Sequence, residues 1–165
     1  MVDFKKLGSI VALVTPFNED KTINFEKLDE LCQWHVDNKT DAILVLGTTG
    51  ESSTMSHEED DAVCEYVINN FKGKIPIIVG TGSNSTETAC EKSIRAEKLG
   101  ADAVLLISPY YNKANTEGMY RHFADVAQKI NIPIILYNVP SRTGCTIPVS
   151  VVERLSKIDN IVGIK

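Results

Sequence analysis

The sequence predicts an α/β fold built from repeated strand–helix units, and three observations indicate it. Short apolar segments rich in β-branched residues alternate with longer amphipathic segments along the 165 residues. The repeat is roughly 30 residues long, close to the size of one βαβ unit. The apolar segments are almost continuously hydrophobic, which is typical of strands buried on both faces of a parallel sheet.

Six of the apolar segments are predicted strands, because each is too short for a typical helix. They cover residues 9–15, 42–46, 76–80, 103–107, 133–138 and 161–165. No linker or low-complexity segment interrupts the pattern. We therefore expect residues 1–165 to belong to a single domain.

Five amphipathic segments between the strands are predicted helices. They cover approximately residues 24–38, 56–70, 85–99, 116–130 and 148–157. Asn24 is placed to cap the first helix, and Ser56 with Glu59 has the spacing of a capping box. Thr116 is expected to open the fourth helix, and Gly100 to end the third.

Composition and charge exclude several classes of protein. The net charge is −5, and the lysines and arginines are scattered, so we expect no nucleic-acid partner. No apolar run is long enough to cross a bilayer, and the first residues lack the apolar core of a signal peptide. The four cysteines are far apart in sequence, which argues against a disulfide framework and favours the cytoplasm.

Two architectures fit the alternation of strands and helices: an open doubly wound sheet and part of a closed (β/α)8 barrel. A complete barrel usually needs about 250 residues. In both architectures, ligands bind at the carboxyl ends of the strands. Small polar, phenolic and cationic residues follow the predicted strands at positions 15–16, 47–51, 81–82, 108–111, 137–144 and 165.

Two features at these strand ends predict chemistry. Lys165 closes an apolar strand, and apolar surroundings would favour the neutral amine that attacks a ketone to form a Schiff base. The Gly-Thr-Thr-Gly-Glu turn at 47–51 offers backbone N–H groups and the Thr48 and Thr49 hydroxyls to a small carboxylate. Taken alone, Lys165 is better explained as a solvated lysine at a chain end, and the turn at 47–51 is only a weak to moderate signal that an ordinary strand–helix turn also explains.

Three further side chains have two interpretations each. Tyr137 ends the fifth strand, where its phenol could relay protons or could simply lie at the edge of the core. Tyr111 presents the same choice. Arg142 follows in a loop rich in proline and glycine, and its planar fork suits a carboxylate, although surface arginines are common.

Cofactor sites are not predicted. Residues 80–85 begin like a dinucleotide-binding fingerprint, but Ser85 stands where the third glycine belongs. His35, His57 and His122 lack the spacing of metal ligands. We therefore expect neither a cofactor nor a metal.

Four ordered motifs carry a resemblance to a known family. They are Gly-Thr-Thr-Gly-Glu at 47–51, Ser-Pro-Tyr-Tyr at 108–111, Tyr-Asn-Val-Pro-Ser-Arg-Thr-Gly at 137–144 and Gly-Ile-Lys at 163–165. Together they resemble the dihydrodipicolinate synthase family, within the pyruvate-dependent class I aldolase superfamily that includes N-acetylneuraminate lyase. The resemblance implies a (β/α)8 TIM barrel, of which this chain supplies the first six strands and five helices.

The same resemblance implies an activity: condensation of pyruvate with L-aspartate 4-semialdehyde to 4-hydroxy-tetrahydrodipicolinate, the first committed step towards diaminopimelate and lysine. Lys165 would form the imine, Thr48 and Thr49 would hold the pyruvate carboxylate, and Tyr137 would move protons through Thr48 and Tyr111. Arg142 would bind the semialdehyde carboxylate.

Assembly and regulation are also implied. The expected assembly is a homotetramer, a dimer of dimers, in which Tyr111 reaches the neighbouring active site. Residues that match the lysine-inhibition site of the family are Ser52, His57, Asn84 and Tyr110. Asp60 and Thr88 stand where lysine-sensitive members often carry histidine and glutamate, so we expect weak or absent feedback inhibition.

Two other functions stay open. Another pyruvate-dependent aldolase, such as N-acetylneuraminate or 2-keto-3-deoxy sugar acid lyase, is the nearest enzymatic alternative. A half-barrel fragment without turnover is the non-catalytic alternative. If the polypeptide ends at Lys165, a terminal carboxylate beside the amine favours its charged form, and we expect little activity.

Overall fold

The computed structural model describes residues 7–165, so the expected start of the domain at Met1 lies outside the described residues. Two compact units make up the chain. The first comprises the chain up to Val79 together with Leu99–Asp102, and the second comprises Gly80–Lys98 and Ala103–Lys165. The assignment of all 165 residues to one domain stays a prediction.

The first unit contains three parallel strands and two helices. Its elements are β1 (Ile10–Ala12), α1 (Phe25–Asp37), β2 (Ala42–Val45), α2 (His57–Phe71) and β3 (Ile77–Gly80), whose last residue belongs to the second unit. Strand β2 pairs in parallel with β1 and β3, and all four of its residues are buried. The central strand is therefore covered on both faces, as its apolar sequence predicts.

The helices of the first unit begin at the residues that the sequence indicates. Asn24 caps α1 by accepting a hydrogen bond from the Lys27 N–H. Ser56 and Glu59 form the predicted capping box at the start of α2. A short 3₁₀ helix at Ser52–Thr54, absent from the sequence prediction, links the turn after β2 to α2.

The second unit repeats the parallel arrangement. Its elements are α3 (Thr86–Leu99), β4 (Ala103–Ile107), α4 (Thr116–Ala127), β5 (Ile134–Tyr137), α5 (Pro140–Thr143), α6 (Val149–Leu155) and β6 (Ile161–Ile164). The last residue of α3, Leu99, belongs to the first unit. Strand β5 pairs in parallel with β4 and β6, with a register shift between Ile134 and Ile135 on the β6 side. Helices α4 and α6 pack together, and Arg154 donates a 2.7 Å hydrogen bond to Glu117 between them.

Every predicted strand and helix is present, but besides the 3₁₀ helix three further details of the sequence prediction are wrong or incomplete. Asn115, not Thr116, caps α4, because its side-chain oxygen accepts from the Gly118 N–H. The one-turn helix α5 was not predicted. Strand β6 is largely exposed instead of buried, with Val162 38% and Ile164 48% accessible, because within the second unit it pairs on one side only, with β5.

Candidate active site

In the first unit, the turn at 47–51 follows the buried strand β2. The Gly50 N–H donates to the Gly47 carbonyl at 3.0 Å, and the Glu51 N–H donates to the Thr48 carbonyl at 3.2 Å. Thr48 and Thr49 are exposed at this turn, whereas Gly50 is buried. Two hydroxyl groups are thus presented to solvent on a backbone that is closed by its own hydrogen bonds.

Thr15, three residues beyond the end of β1, holds this turn in place. The Thr15 hydroxyl donates a 2.7 Å hydrogen bond to the Gly50 carbonyl, and both groups are buried. The sequence placed Thr15 among the polar residues that follow strands but gave it no role. A contact between residues 35 positions apart leaves no local signal in the sequence.

In the second unit, Lys165 and Tyr137 are neighbours. The Lys165 N–H donates to the Leu136 carbonyl at 2.8 Å, and the Asn138 N–H donates to the Lys165 carbonyl at 2.9 Å. This ladder places the Lys165 ammonium nitrogen 4.6 Å from the centre of the Tyr137 ring. The lysine nitrogen and the Tyr137 ring are therefore side by side where β5 and β6 end.

The expected apolar surroundings of Lys165 are not observed. The residue is exposed, and the preceding strand residues Val162 and Ile164 are accessible as well. The described contact of its side chain is with the face of the Tyr137 ring, which attracts a cation. The expectation of a lysine enclosed by apolar groups is not met within residues 7–165 and stays a prediction.

The loop after β5 carries Arg142 on the short helix α5. Arg142 is exposed, and its N–H donates to the Val139 carbonyl at 2.9 Å. The Thr143 hydroxyl is hydrogen-bonded to the Val139 and Cys145 carbonyls, at 3.1 and 2.9 Å. The backbone around Arg142 is thus fixed while the guanidinium group stays accessible.

Cys145 joins this loop to the loop after β4. Its thiol lies 3.3 Å from the Pro109 carbonyl oxygen and 3.7 Å from the hydroxyl of the fully buried Ser108. The Ser108 N–H in turn donates to the Tyr137 carbonyl at 3.1 Å. The sequence analysis did not identify Cys145, because a single cysteine in a loop carries no motif.

Tyr110 and Tyr111 occupy the loop that Cys145 reaches. Tyr111 is 91% exposed, and its φ of +72° lies in the left-handed region that a bulky residue rarely adopts. Asn112 donates through its side chain to the Asn84 carbonyl at 3.1 Å, which fastens the loop beyond the tyrosines. The Tyr111 side chain therefore projects from an anchored loop into solvent.

Of the residues that match the lysine-inhibition site, two belong to the first unit and two to the second. In the first unit, the Ser52 hydroxyl donates to the Asp60 carboxylate at 3.0 Å, and His57 is exposed at the start of α2. In the second unit, the Asn84 carbonyl accepts from Asn112, and Tyr110 is 37% exposed.

The described part of the chain has neither a metal-binding cluster nor a membrane-spanning helix. Among residues 7–165, no group of three or more histidine, cysteine, aspartate or glutamate side chains is arranged to hold a metal ion. Within the same range, no helix has the length and apolar character needed to cross a bilayer.

Comparison with known proteins gives consistent matches over nearly the whole chain. A family model described as the dihydrodipicolinate synthetase family matches residues 5–165. The 4-hydroxy-tetrahydrodipicolinate synthase of Clostridium perfringens (strain SM101 / Type A) is 51% identical over 158 residues, which cover 96% of this chain and 54% of that protein. The chain spans about half the length of the curated relatives that it matches.

Solved structures show the fold. A dihydrodipicolinate synthase from Aquifex aeolicus superposes with a TM-score of 0.94 at 49% identity, covering 96% of this chain and 54% of that one. A chloride-inhibited dihydrodipicolinate synthase from Acinetobacter baumannii, complexed with pyruvate, gives 0.94 at 48% identity, with 96% and 55% covered. The predicted fold class is confirmed: the chain has the fold of the first six strands and five principal helices of a (β/α)8 barrel.

Proposed function

Because the chain belongs to the dihydrodipicolinate synthetase family, we propose that it forms the Schiff-base part of a lyase that condenses pyruvate with L-aspartate 4-semialdehyde. The observation that carries the proposal is the pairing of Lys165 with Tyr137, whose ring centre lies 4.6 Å from the lysine nitrogen. Imine chemistry needs an amine and a proton donor at one carbon, and this pair supplies both. The product would be 4-hydroxy-tetrahydrodipicolinate, at the start of the diaminopimelate and lysine pathway.

The reaction starts at the lysine. The neutral Lys165 amine attacks C2 of pyruvate, and the carbinolamine loses water to give an imine. Loss of a proton from C3 gives an enamine, whose C3 bonds to the aldehyde carbon of the second substrate. The amino group of that substrate then attacks C2, which closes the ring and releases Lys165. Tyr137 accepts and returns protons in these steps, together with Thr48 and Tyr111.

The remaining residues of the proposed site bind the carboxylate groups of the two substrates. The exposed Thr48 and Thr49 hydroxyls and the backbone of their turn are suited to the pyruvate carboxylate. The accessible guanidinium group of Arg142 is suited to bidentate binding of the semialdehyde carboxylate. The Acinetobacter baumannii relative is complexed with pyruvate, which supports pyruvate as one of the substrates.

Subunit contact would complete the site. Tyr111 projects into solvent at 91% exposure, although its anchored backbone is in an unfavourable conformation. We propose that it enters the active site of a second copy within a homotetramer. The four cysteines are free thiols, which supports a reducing compartment, the cytoplasm.

Lysine feedback is proposed to be weak or absent. Thr88 offers no carboxylate to the ammonium group of a bound lysine, and the Asp60 carboxylate accepts from Ser52. Steady-state turnover measured against lysine tests this proposal. Inhibition at sub-millimolar lysine would contradict it.

Substrate profiling tests the proposed reaction. With pyruvate fixed, the protein at its natural length is given L-aspartate 4-semialdehyde, N-acetylmannosamine or glyceraldehyde, and each product is quantified. We expect turnover with the semialdehyde to exceed the others by at least about 100-fold, because only this aldehyde presents a carboxylate to Arg142. Preference for either sugar would assign the chain to a different pyruvate-dependent aldolase, and no turnover at all would favour the non-catalytic alternative.

A further inference from the structure

The residue before the turn at 47–51 and the last residue of the turn both have an unfavourable backbone conformation. Leu46 has a φ of +57° and Glu51 a φ of +60°, and neither is a glycine. Left-handed conformations are costly for residues with a side chain and persist where surrounding contacts hold them. The geometry of the turn therefore depends on what anchors it.

The backbone of Gly50 is pressed against the end of β1. A Cβ atom at this position would lie 3.1 Å from the Leu13 carbonyl oxygen and 3.3 Å from the Leu46 nitrogen. The Leu13 N–H is itself bonded to the Leu44 carbonyl of β2 at 2.9 Å. The turn thus rests on the paired ends of two strands, where a glycine is needed for the close approach.

One side chain fastens the turn to this support. Thr15 is 5% exposed, and its hydroxyl donates the 2.7 Å hydrogen bond to the Gly50 carbonyl. That carbonyl belongs to the peptide joining Gly50 to Glu51, the residue with a φ of +60°. The hydrogen bond therefore fixes the Gly50–Glu51 peptide, one residue beyond the exposed pair Thr48 and Thr49.

We propose that Thr15 is a positioning residue for the pyruvate carboxylate, because its hydroxyl holds the Gly50 carbonyl and with it the anion-binding turn. The inference rests on the proposed function of Thr48 and Thr49. Without the Thr15 hydroxyl, the Gly50 carbonyl loses its buried donor, and the peptide rotates towards water. Leu46 and Glu51 then relax, and the two threonines lose the fixed orientation that a preorganised anion site requires.

Three variants separate positioning from general stability. Thr15→Val keeps the shape of the side chain and removes the donor, whereas Thr15→Ser keeps the donor. Ser93→Ala on α3 is the matched control, because it removes another buried hydroxyl bond, the 2.8 Å contact between Ser93 and Thr81. The protein is used at its natural length. Borohydride trapping of the pyruvate adduct is measured against pyruvate concentration, together with turnover at saturating pyruvate and the urea midpoint.

We expect Thr15→Val to raise the half-saturating pyruvate concentration roughly five- to tenfold, as loss of one hydrogen bond predicts. Turnover at saturating pyruvate should change less than twofold. Thr15→Ser should restore half-saturation to within about twofold of wild type. Ser93→Ala should lower the urea midpoint while leaving half-saturation unchanged.

Two results would overturn the inference: unchanged half-saturation in Thr15→Val, or an equal change in Ser93→Ala. Failure of the proposed function is distinguishable, because wild-type protein would then form no adduct at any pyruvate concentration. A normal wild-type adduct with an unaffected Thr15→Val variant rejects the Thr15 inference alone.

Discussion

The ammonium nitrogen of Lys165 lies over the ring of Tyr137, 4.6 Å from the ring centre. Backbone hydrogen bonds from Lys165 to Leu136 and from Asn138 to Lys165 fix this relationship from both sides. The backbone positions of the two residues are therefore set by the pairing of β5 with the end of β6. This pairing gives the proposed imine chemistry a defined proton donor.

Replacing Tyr137 by phenylalanine separates its ring from its hydroxyl. The ring face that contacts Lys165 is retained, and the proton relay is lost. We expect turnover to fall at least about 100-fold, as is usual when a general acid–base group is removed. Steady-state assays measure the effect, with Tyr120→Phe as the control, since Tyr120 packs under Arg154 instead. Turnover within threefold of wild type would remove Tyr137 from the mechanism.

The two glycines of the turn at 47–51 should respond differently to alanine. At Gly50 a Cβ would meet the Leu13 carbonyl at 3.1 Å, whereas at Gly47 it meets only the Leu44 side chain at 3.5 Å, an ordinary contact. We expect Gly50→Ala to lower the unfolding free energy by about 1–3 kcal/mol. Gly47→Ala should stay within about 1 kcal/mol of wild type. Urea unfolding gives both values, and equal losses would show that the packing around Gly50 is not decisive.

The four thiols should differ in reactivity in the folded protein. Cys32 is fully buried, and burial raises its pKa to about 12, so its thiolate is scarce at pH 8. Cys145 is half-buried in its loop. Iodoacetamide followed by peptide mapping should label Cys145 well before Cys32. Labelling of Cys32 first in folded protein would contradict the described burial.

We expect His122 to make the second unit sensitive to acid. It is 4% exposed, its Nδ1 shares a 2.8 Å hydrogen bond with the Thr86 hydroxyl, and its Nε2 finds no partner among residues 7–165. Burial lowers the pKa of His122 below its ordinary 6.5, with a smaller opposing effect from Asp125. The neutral form is therefore favoured in the folded state. Because the unfolded state binds the His122 proton more readily, the contribution of neutral His122 to stability is complete above pH 6.5 and is lost as the pH falls below that value.

Unfolding free energies between pH 8 and pH 5 test the role of His122. Wild type should lose stability below pH 6.5, and His122→Gln should show a shallower decline because the titrating group is gone. His57→Gln is the control, because His57 is exposed at the start of α2. An unchanged slope in His122→Gln would assign the acid sensitivity to other groups.

Sequence alone predicted the elements of this fold because their signals are local. The Ser56 and Glu59 capping box lies within four residues, and the continuous apolar run of β2 predicts that this strand is buried. The exposure of β6 was missed, because its apolar residues resemble those of a covered strand, and covering depends on distant parts of a chain.

Contacts between distant loops explain what the sequence could not reveal about the site. Thr15 and Gly50 are 35 positions apart, and Cys145 and Pro109 are 36 apart. Neither pair belongs to a motif, so only the folded chain brings them together. The motif residues Thr48, Tyr137, Arg142 and Lys165 were identified from the sequence, and their catalytic roles stay predictions.

Borohydride trapping with pyruvate tests the central claim most directly. The protein at its natural length is incubated with pyruvate and reduced, and intact mass and peptide maps are recorded for wild type and for Lys165→Arg. We expect one stable pyruvate-derived adduct on Lys165 in wild type and none in Lys165→Arg. An adduct on a different lysine, or no adduct in folded wild-type protein, would contradict the assignment of Lys165 as the Schiff-base residue.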